Sequence, residues 1–372
     1  MKSITSLHVV RRYGLVGGME NYVWELTHAL HELGQTVYVV CEQCLSPLKR
    51  DINVIEMGAI KPRPRWLSML RFSRCITHAV ARIVETSNPR TMVIHSHERT
   101  AVHDVTTFHG PLIVHRKKSW SDKISPRLIA WEYLEKRELA AKNVRCVIPN
   151  SMAVSEQLKQ AYPQIAHLVT EPMHPGVATE LPAIQSSSSG KTVGFIGREW
   201  KRKGLDFAVE IITELRKIDP EIRFIIAGCA ESEVKHLFGH SLRHGSGGLG
   251  DSGNSGGIEI SGWVEPLDFF ARIDLLIHPA RNEPFGMVIA EANAAGIPVV
   301  VSNRCGIASM IGEAQGKVLP LDDRNEWVAS CYHYLNQPPA ERQKIIPLPL
   351  SWITLAESHI ELYTRVMLRR GE

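Results

Sequence analysis

Apolar runs of strand length alternate with stretches of helical periodicity along the whole chain, and the alternation starts a second time after residue 190. Residues 7–10 have the pattern of a strand, residues 19–33 that of a helix with one apolar face, and residues 37–40 that of the next strand. Residues 192–196 begin the second series. Because parallel strands joined by helices produce this order, the sequence predicts an α/β fold with two Rossmann-like, doubly wound domains facing across a cleft.

The two series are separated by a segment rich in Pro, Ser and Gly, which is typical of a linker. We therefore predict an N-terminal domain over residues 1–180, a linker over 181–190 and a C-terminal domain over 191–346. The amphipathic segment 351–372 is predicted to form a helix that crosses back to the N-terminal domain. A Gly/Ser-rich stretch at 245–257 is predicted to be a flexible surface insertion.

Composition is that of a globular protein with more than one core, since the chain has 372 residues, of which 44% are hydrophobic and 22% charged. The sequence contains no apolar run of about 18 residues and no signal-peptide pattern at its start, so we expect a cytoplasmic protein. The seven cysteines are scattered, which favours reduced thiols. Cys41 and Cys44 form a close pair, but no second pair at metal-binding spacing accompanies them.

Basic residues are unevenly spread, although the net charge is only +4. Residues 61–82 contain basic side chains mixed with aromatic and aliphatic ones, and a second basic cluster lies at 116–127. Such a mixture is typical of a protein that meets an anionic membrane surface or an acidic acceptor, and equally of a solvated helix with an ordinary core face. Nucleic acid is not an expected partner, because no nucleic-acid-binding module accompanies the charge.

Two glutamates, Glu283 and Glu291, stand eight positions apart around a Pro-Phe-Gly turn and an apolar helical run. Pro284 suits the first turn of a helix, so Glu283 is predicted to lie at a strand-to-helix junction. The backbone amides expected to face a phosphate at this junction are those of Phe285, Gly286 and Met287. Glu291 lies about two helical turns further on, where its carboxylate could bind a ribose. Together these features favour a sugar nucleotide as the ligand.

Two loops after predicted first strands carry further candidates. Gly17 and Gly18 would let backbone amides approach a phosphate or a sugar closely, although the loop is not a dinucleotide fingerprint. Arg198 and Lys203 follow the first strand of the second series and could stabilise a diphosphate leaving group without a metal ion. No Asp-x-Asp pair occurs in the chain, so we expect no metal and no other cofactor.

Histidines are concentrated between residues 95 and 109. Their residue type suits a metal cluster, but no cysteine or carboxylate group completes one. The alternative is a set of polar histidines beside the cleft. Of these, His109 is the best functional candidate because it lies at the end of a predicted strand.

The ordered series of motifs resembles glycosyltransferase family 4, whose members are retaining enzymes of the GT-B fold that use nucleotide-activated sugars. The resemblance extends over nearly the whole chain. The residues that carry it include Gly17, Gly18 and Glu20; Thr107 to Gly110; Pro149 to Ser151; Pro175 to Val177; Gly197 to Gly204; Ala227 and Gly228; Ser261 to Trp263; Glu283 to Glu291; and Ser351 to Tyr363.

The resemblance implies a role for each candidate. Glu283 and the amides after it would bind the transferred sugar, Glu291 the ribose, and Arg198 with Lys203 the diphosphate. Gly17 and Gly18 would lie near the donor phosphate and the acceptor, and His109 would contact the transferred sugar. Family members are expected to use a front-face mechanism, in which the leaving phosphate helps to deprotonate the acceptor hydroxyl.

We therefore predict a metal-independent, retaining hexosyltransferase with a nucleotide-sugar donor, a UDP-sugar being favoured. The acceptor is expected to be a glycan, lipid-linked or phosphorylated molecule, as in lipopolysaccharide core or envelope polysaccharide synthesis, with peripheral contact to the inner membrane face. Three alternatives remain open: a nucleotide-sugar epimerase of the same fold, a catalytically silent binding protein, and a nicotinamide-dependent oxidoreductase.

Overall fold

A computed structural model describes residues 4–47, 52–86, 92–114, 124–177, 190–242, 257–337 and 345–369. The chain forms two compact units, an N-terminal unit of Met1–Gly176 with Leu350–Glu372 and a C-terminal unit of Val177–Pro349. Nearly all of the predicted linker, most of the predicted Gly/Ser insertion and most of the second basic cluster lie outside the described residues. The final helix belongs to the N-terminal unit.

The N-terminal unit is built on a six-stranded parallel sheet with the order β5-β3-β1-β6-β7-β8. In chain order its strands are β1 (Thr5–Val9), β3 (Thr36–Cys41), β5 (Asn53–Glu56), β6 (Met92–Ser96), β7 (Val105–Phe108) and β8 (Cys146–Pro149). A small parallel pair is formed by β2 (Arg12–Tyr13) and β4 (Gln43–Cys44). The helices are α1 (Gly18–Glu32), α2 (Arg65–Thr86), α3 (Pro126–Ala140), α4 (Met152–Ala161) and the last helix of the chain, α11 (Trp352–Leu368).

Helices cover both faces of this sheet. The apolar faces of α1 and α11 pack together with the sheet in one core cluster, and α2 packs in another. Helix α11 begins at Ser351, whose hydroxyl accepts a hydrogen bond from the backbone N–H of Ile353 at 3.2 Å. Just before the chain leaves this unit, Gly176 lies so close to Ser351 that an added Cβ would stand 2.7 Å from the Ser351 carbonyl carbon. The outgoing and returning segments therefore lie against each other.

The C-terminal unit repeats the topology with the order β11-β10-β9-β12-β13-β14, again entirely parallel. Its strands are β9 (Thr192–Ile196), β10 (Arg223–Ala227), β11 (Ile258–Gly262), β12 (Leu275–His278), β13 (Val299–Ser302) and β14 (Gly316–Leu319). Its α-helices are α5 (Trp200–Lys203), α6 (Leu205–Ile218), α7 (Glu231–Val234), α8 (Pro266–Phe270), α9 (Met287–Ala294) and α10 (Arg324–Asn336). The rings of Phe207 on α6 and Trp327 on α10 meet edge to face in its core.

The strand order locates the ligand-binding edge of each sheet. Each unit places its first strand between its second and fourth strands, so the chain direction across the sheet reverses beside that first strand. In open α/β sheets ligands bind beyond the carboxyl ends of the strands at this switch point. It falls between β1 and β6 in the N-terminal unit and between β9 and β12 in the C-terminal unit.

Of the two interpretations of residues 61–82, helix α2 supports the solvated helix with an ordinary core face, and its aromatic residue Phe72 is not exposed. Met69 and Phe72 are buried in the core of the N-terminal unit, whereas Arg65 and Arg74 are exposed. A helix that packs on a sheet has one apolar face and one polar face, which is what the sequence pattern reflects. Within the described residues, no helix combines the length and apolar character that a membrane crossing requires.

All seven cysteines are free thiols, as their scattered positions predicted. Burial raises the pKa of Cys41 to about 12, with smaller contributions from Cys44 and Glu56. A thiol of that pKa is a poor nucleophile, which argues against redox chemistry at the Cys41–Cys44 pair.

Candidate active site

The carboxylate of Glu283 lies at the switch point of the C-terminal unit and is surrounded by basic groups. Its Oε2 is 3.1 Å from Arg202 Nη1, 3.3 Å from Lys203 Nζ and 3.6 Å from His278 Nε2. Lys203 ends α5, directly after the β9 loop, and His278 ends β12. Two adjacent strands of the sheet thus deliver the groups that hold one carboxylate.

Three glycines permit the close packing around Lys203. A Cβ at Gly197 would overlap the Lys203 side chain, and a Cβ at Gly204 would overlap the Pro279 carbonyl. Gly228, with φ +87°, packs so closely on Gly197 that a Cβ would lie 2.9 Å from the Gly197 backbone. The lysine therefore runs across the bare backbone of Gly197, and a side chain there would displace it. Side chains at Gly204 and Gly228 would instead collide with the backbone of Pro279 and Gly197.

The backbone of Glu283 is fixed as firmly as its side chain. Its N–H donates to the carbonyl of Arg304 at 3.1 Å, and its carbonyl accepts from the N–H of Gly306 at 2.8 Å. These bonds form an isolated parallel bridge between Glu283 and Cys305. Arg202 also donates to the Asn282 carbonyl at 2.6 Å, so the arginine holds both the side chain and the adjacent backbone.

Glu283 is ionised in this environment. Burial acts to raise its pKa, but His278, Lys203 and Arg202 outweigh burial and hold the pKa well below its usual range. His278 is neutral, because burial and the nearby Lys203 charge lower its pKa to about 4 against the opposing effect of Glu283. The neutral imidazole therefore lies beside the carboxylate at 3.6 Å, and the two cations balance the carboxylate's charge.

The junction after Glu283 differs from the predicted one. Helix α9 begins at Met287, not at Pro284, because Gly286 precedes it with φ +110°, a left-handed conformation. A Cβ at Gly286 would also lie 2.8 Å from Ile289 Cδ1. The amides of Ile289 and Ala290 donate to the Gly286 carbonyl, so the helix-start N–H groups come from Met287 and Val288, and those of Phe285 and Gly286 precede the helix.

Glu291 lies on α9 and is partly exposed. Burial raises its pKa despite the opposing effect of Lys203. The pKa of Glu291 is therefore shifted in the opposite direction to that of Glu283, whose pKa is lowered. A partly buried carboxylate whose charge is incompletely balanced is suited to accept hydrogen bonds from ligand hydroxyls.

Arg198 is exposed and makes no ion pair with any described residue. Arg202 and His278 are the residues that sequence reasoning missed. Arg202 stands in the run Lys201-Arg202-Lys203, and consecutive residues of a helical turn point about 100° apart. Their spacing alone could not show which side chains face Glu283. His278 could have been found from its place at the carboxyl end of a buried strand.

The remaining candidates lie in the N-terminal unit. Gly17 is the N-cap of α1, and a Cβ there would stand 2.5 Å from the Glu20 carboxylate, which pairs with Arg12 at 2.6 Å. Gly18 is the first residue of α1. His109 follows β7, with its Nε2 3.1 Å from His97 Nδ1. Burial, with a smaller effect of His359, lowers the pKa of His109 to about 3, so its ring is neutral.

Comparison with known structures identifies the architecture as GT-B. The glycosyltransferase WaaG, described as involved in lipopolysaccharide biosynthesis, superposes with a TM-score of 0.74 at 15% identity and covers 96% of this chain and 95% of its own. The Anabaena protein HepE, solved in complex with UDP and glucose, superposes with a TM-score of 0.66 at 18% identity, with 97% and 99% covered. At these identities the likeness shows the fold alone.

The sequence places the chain within that architecture. Residues 16–181 match the family described as Glycosyltransferase Family 4, and residues 190–337 match Glycosyl transferases group 1. The chain belongs to this family of glycosyltransferases, which confirms the resemblance seen in its motifs.

Two relatives are similar to the chain in sequence. The phosphatidyl-myo-inositol mannosyltransferase of Mycobacterium leprae is 24% identical over 344 residues, which is 84% of this chain and 82% of that protein. The lipopolysaccharide core biosynthesis mannosyltransferase LpsB of Rhizobium meliloti is 28% identical over 159 residues, 40% of this chain and 42% of its own. These comparisons provide no support for the epimerase alternative.

The lowered pKa of Glu283 makes a testable prediction about stability. A carboxyl whose pKa is lower in the folded than in the unfolded chain stabilises the fold above its unfolded pKa of about 4.3, and this contribution is lost as the pH falls toward the folded pKa. We expect Glu283→Gln to lower the melting temperature at neutral pH, and the difference from wild type to shrink between about pH 5 and pH 3.

Glu291→Gln is the matched control, because folding raises the pKa of Glu291 and opposes its ionisation at neutral pH. This substitution should not lower the melting temperature at neutral pH. A Glu283→Gln difference that stays constant across the pH range would show that the carboxylate is not held ionised by its basic neighbours.

Proposed function

We propose that the protein is a metal-independent, retaining hexosyltransferase that uses a nucleotide-sugar donor, with a UDP-sugar favoured. The main observation behind this proposal is the ionised Glu283 carboxylate, held by Lys203, Arg202 and His278 at the switch point beside the start of α9. Fixed cations, helix-start amides and a fixed carboxylate in one place suit a ligand that carries both a diphosphate and a sugar.

The proposed role of two of the cations is to stabilise the leaving diphosphate. As the bond between sugar and diphosphate breaks, negative charge grows on the diphosphate, and Lys203 with Arg198 would stabilise it. The amides of Phe285, Gly286 and Met287 would add N–H donors on the same side. Arg202 is engaged with Glu283 and the Asn282 carbonyl, so its part is to hold the carboxylate in position.

The proposed role of the two carboxylates is to bind the transferred sugar and the ribose of the nucleotide. Ionised Glu283 accepts hydrogen bonds only, and its remaining lone pairs would bind hydroxyls of the transferred sugar. Glu291 would bind the ribose of the nucleotide. His109 would contact the transferred sugar from the N-terminal unit, and Gly17 and Gly18 would lie near the donor phosphate and the acceptor.

A front-face reaction suits these groups better than a double displacement. Glycosidases of the usual kind act through a pair of carboxyl groups, one as acid and the other as base or nucleophile. Here Glu283 has a low pKa, so it is a poor proton donor, and its pairing with Arg202 and Lys203 also weakens it as a nucleophile. The leaving phosphate would take the proton of the acceptor hydroxyl, and the new bond would form on the same face, which retains the anomeric configuration.

Nucleotide binding gives the first test. In a thermal-shift screen of UDP, GDP, ADP, CMP and their sugar conjugates, we expect one nucleotide family to raise the melting temperature, by the equivalent of about 2.7 kcal/mol at 100 times Kd. Lys203→Ala and Arg198→Ala should each weaken binding by roughly ten- to a hundredfold, since a hydrogen bond to a charged group contributes about 1.5–3 kcal/mol.

The adjacent Lys201 is the control, because it is exposed and its Nζ lies 5.1 Å from the Trp200 ring centroid. Lys201→Ala should leave nucleotide affinity unchanged. If Arg198→Ala behaves like Lys201→Ala, the assignment of Arg198 to the diphosphate is wrong. If no nucleotide stabilises the folded protein, the chain is not a nucleotide-sugar enzyme.

Turnover tests the chemistry. With the donor found in the screen, we expect the anomeric proton of the product to show the donor configuration by NMR and the rate to be unaffected by EDTA. Glu283→Ala should lower kcat by orders of magnitude with the fold intact. An inverted product, or activity that is lost with EDTA and restored by a divalent cation, would contradict the proposed mechanism.

The acceptor is proposed to be a glycan, lipid-linked or phosphorylated molecule, met at the cytoplasmic face of the inner membrane. The names of the lipid- and lipopolysaccharide-related relatives support this, as do the exposed Arg65 and Arg74 of α2. We expect the protein to co-sediment with phosphatidylglycerol vesicles more than with phosphatidylcholine vesicles, and less at high salt.

Charge reversal isolates the contribution of α2. Arg65→Glu with Arg74→Glu should reduce co-sedimentation, whereas Lys217→Glu on α6, also exposed, should not. Equal sedimentation of wild type and the double variant would remove α2 as a membrane-facing surface, without bearing on donor binding.

A further inference from the structure

Three histidines and a serine form a continuous hydrogen-bonded chain at the switch point of the N-terminal unit. His8 Nε2 lies 3.2 Å from Ser6 Oγ, and His8 Nδ1 lies 3.1 Å from His97 Nε2. His97 Nδ1 in turn lies 3.1 Å from His109 Nε2. Ser6, His8 and His97 are buried, and His109 is the partly exposed end.

The rings in this chain are neutral. Burial lowers the pKa of His8 to about 3, with a smaller effect of His359, and burial with the neighbouring imidazoles lowers the pKa of His97 well below its usual value. His109 is neutral for the same reason. A neutral imidazole has one N–H donor and one nitrogen acceptor, so the tautomer of each ring restricts that of the next.

Only two proton arrangements satisfy both contacts between histidines. In the first, every ring carries its proton on Nδ1: His8 donates to His97, His97 donates to His109, and His109 Nδ1–H points away from the chain. In the second, every ring carries its proton on Nε2, and the donation runs from His109 back to Ser6. A mixed arrangement would place two protons or two lone pairs against each other.

Ser6 distinguishes the two arrangements. In the first, its hydroxyl donates to His8 Nε2 and each buried donor has an acceptor. In the second, Ser6 Oγ accepts from His8, and among the described residues the serine proton has no acceptor. A buried donor without a partner is unfavourable, so the first arrangement is preferred.

His95 lies outside this chain, although its ring centroid is 4.2 Å from that of His97. Its Nδ1 lies 2.6 Å from the Tyr363 hydroxyl and its Nε2 lies 2.8 Å from the Thr107 hydroxyl. The ligand atoms of His8, His95 and His97 lie within 4.8 Å of one another, which is compatible with a metal. All six of their ring nitrogens already have hydrogen-bond partners, however, so a metal ion would have to displace these bonds.

We propose that Ser6, His8 and His97 are positioning residues that hold His109 as its Nδ1–H tautomer, so that this neutral ring presents an N–H donor to an oxygen of the bound sugar. The tautomer follows from the geometry of the N-terminal unit alone. The identity of the oxygen rests on the proposed function. In this arrangement the outer nitrogen of His109 binds a hydroxyl lone pair and is not the base that deprotonates the acceptor.

The tautomers can be measured without substrate. In the full chain labelled with ¹⁵N-histidine, long-range ¹H–¹⁵N correlation spectra distinguish protonated from unprotonated ring nitrogens. Loss of signals in His8→Gln, His95→Gln, His97→Gln and His109→Gln assigns them. We expect Nδ1 to be protonated and Nε2 unprotonated in His8, His97 and His109. In Ser6→Ala the first arrangement loses the hydrogen bond to His8 Nε2, whereas the second leaves the His8 Nε2–H without an acceptor. The preference for the first arrangement is therefore reduced. We expect the His8 Nε2 signal to move to the position of a nitrogen without a donor, and the three rings to shift together part of the way toward the Nε2–H form.

Two further variants separate this effect from a structural one. Ser6→Thr keeps the hydroxyl and should restore the wild-type spectrum. Ser155→Ala removes another buried serine, whose Oγ has no hydrogen-bond partner among the residues that the structure describes, and should leave the three rings unchanged. Wild-type rings found as Nε2–H or imidazolium, or a Ser6→Ala spectrum identical to wild type, would overturn the proposal. So would the displacement of the His8 and His97 signals by stoichiometric Zn²⁺.

Donor binding provides the second readout. Adding the nucleotide sugar selected in the thermal-shift screen should shift the His109 Nδ1–H signal and leave His95 unchanged. If the tautomers are as proposed but this signal does not move, the proposed contact between His109 and the sugar is wrong. The hydrogen-bonded chain from Ser6 to His109 is then still supported. Failure of the screen itself would remove the glycosyltransferase proposal without affecting the tautomer result.

Discussion

A carboxylate can remain charged away from water only where other groups replace its hydration, and the donor-side site is organised around that requirement. Glu283 has two cations and an imidazole within 3.6 Å. The Lys203 contact depends on the bare backbone of Gly197, and the close packing of backbone around it depends on Gly204 and Gly228. Loss of any of these would leave a buried charge incompletely compensated, so the glycines and the charged residues act as one unit.

The switch point of the N-terminal unit also contains buried polar groups, but there the groups are uncharged. Its central polar groups are imidazoles without a carboxylate in their hydrogen-bonded chain, and burial keeps them neutral. Neutral rings are satisfied by exchanging hydrogen bonds, which links Ser6 to His109. Two sheets of the same topology therefore carry different sites. The C-terminal unit has a charged site, and the N-terminal unit has a neutral site in which the hydrogen bonds all run in one direction.

The sequence predicted the ends of an element well where polar or glycine residues mark them. It predicted the ends less well where contacts with distant residues decide them. Strand β9 was predicted residue for residue, because it is a short, largely apolar run with polar or glycine residues beside it. The start of α9 was wrong because the bridge between Glu283 and Cys305 and the left-handed Gly286 delay the helix by three residues.

The candidate site shows the same limit. Glu283 and Lys203 were predicted from their motifs and do lie together, whereas the contact of Arg202 with Glu283 depends on how a one-turn helix is oriented. The burial of Phe72 agrees with helical periodicity, but its basic neighbours left a surface interpretation equally open. The sequence pattern indicated which segments form helices and strands, but it did not determine where individual side chains point.

The packing of Gly176 against Ser351 has a consequence for how such a protein can be rearranged. The chain leaves the N-terminal unit and returns to it at neighbouring points, so Val177–Pro349 is in effect a domain inserted into a single surface position of its host. Insertions whose ends lie close together disturb the host fold little. Exchange of this insert between homologous proteins would alter the half that we assign to the donor and leave the histidine chain and its sheet intact, which provides a route by which donor and acceptor preferences can evolve separately.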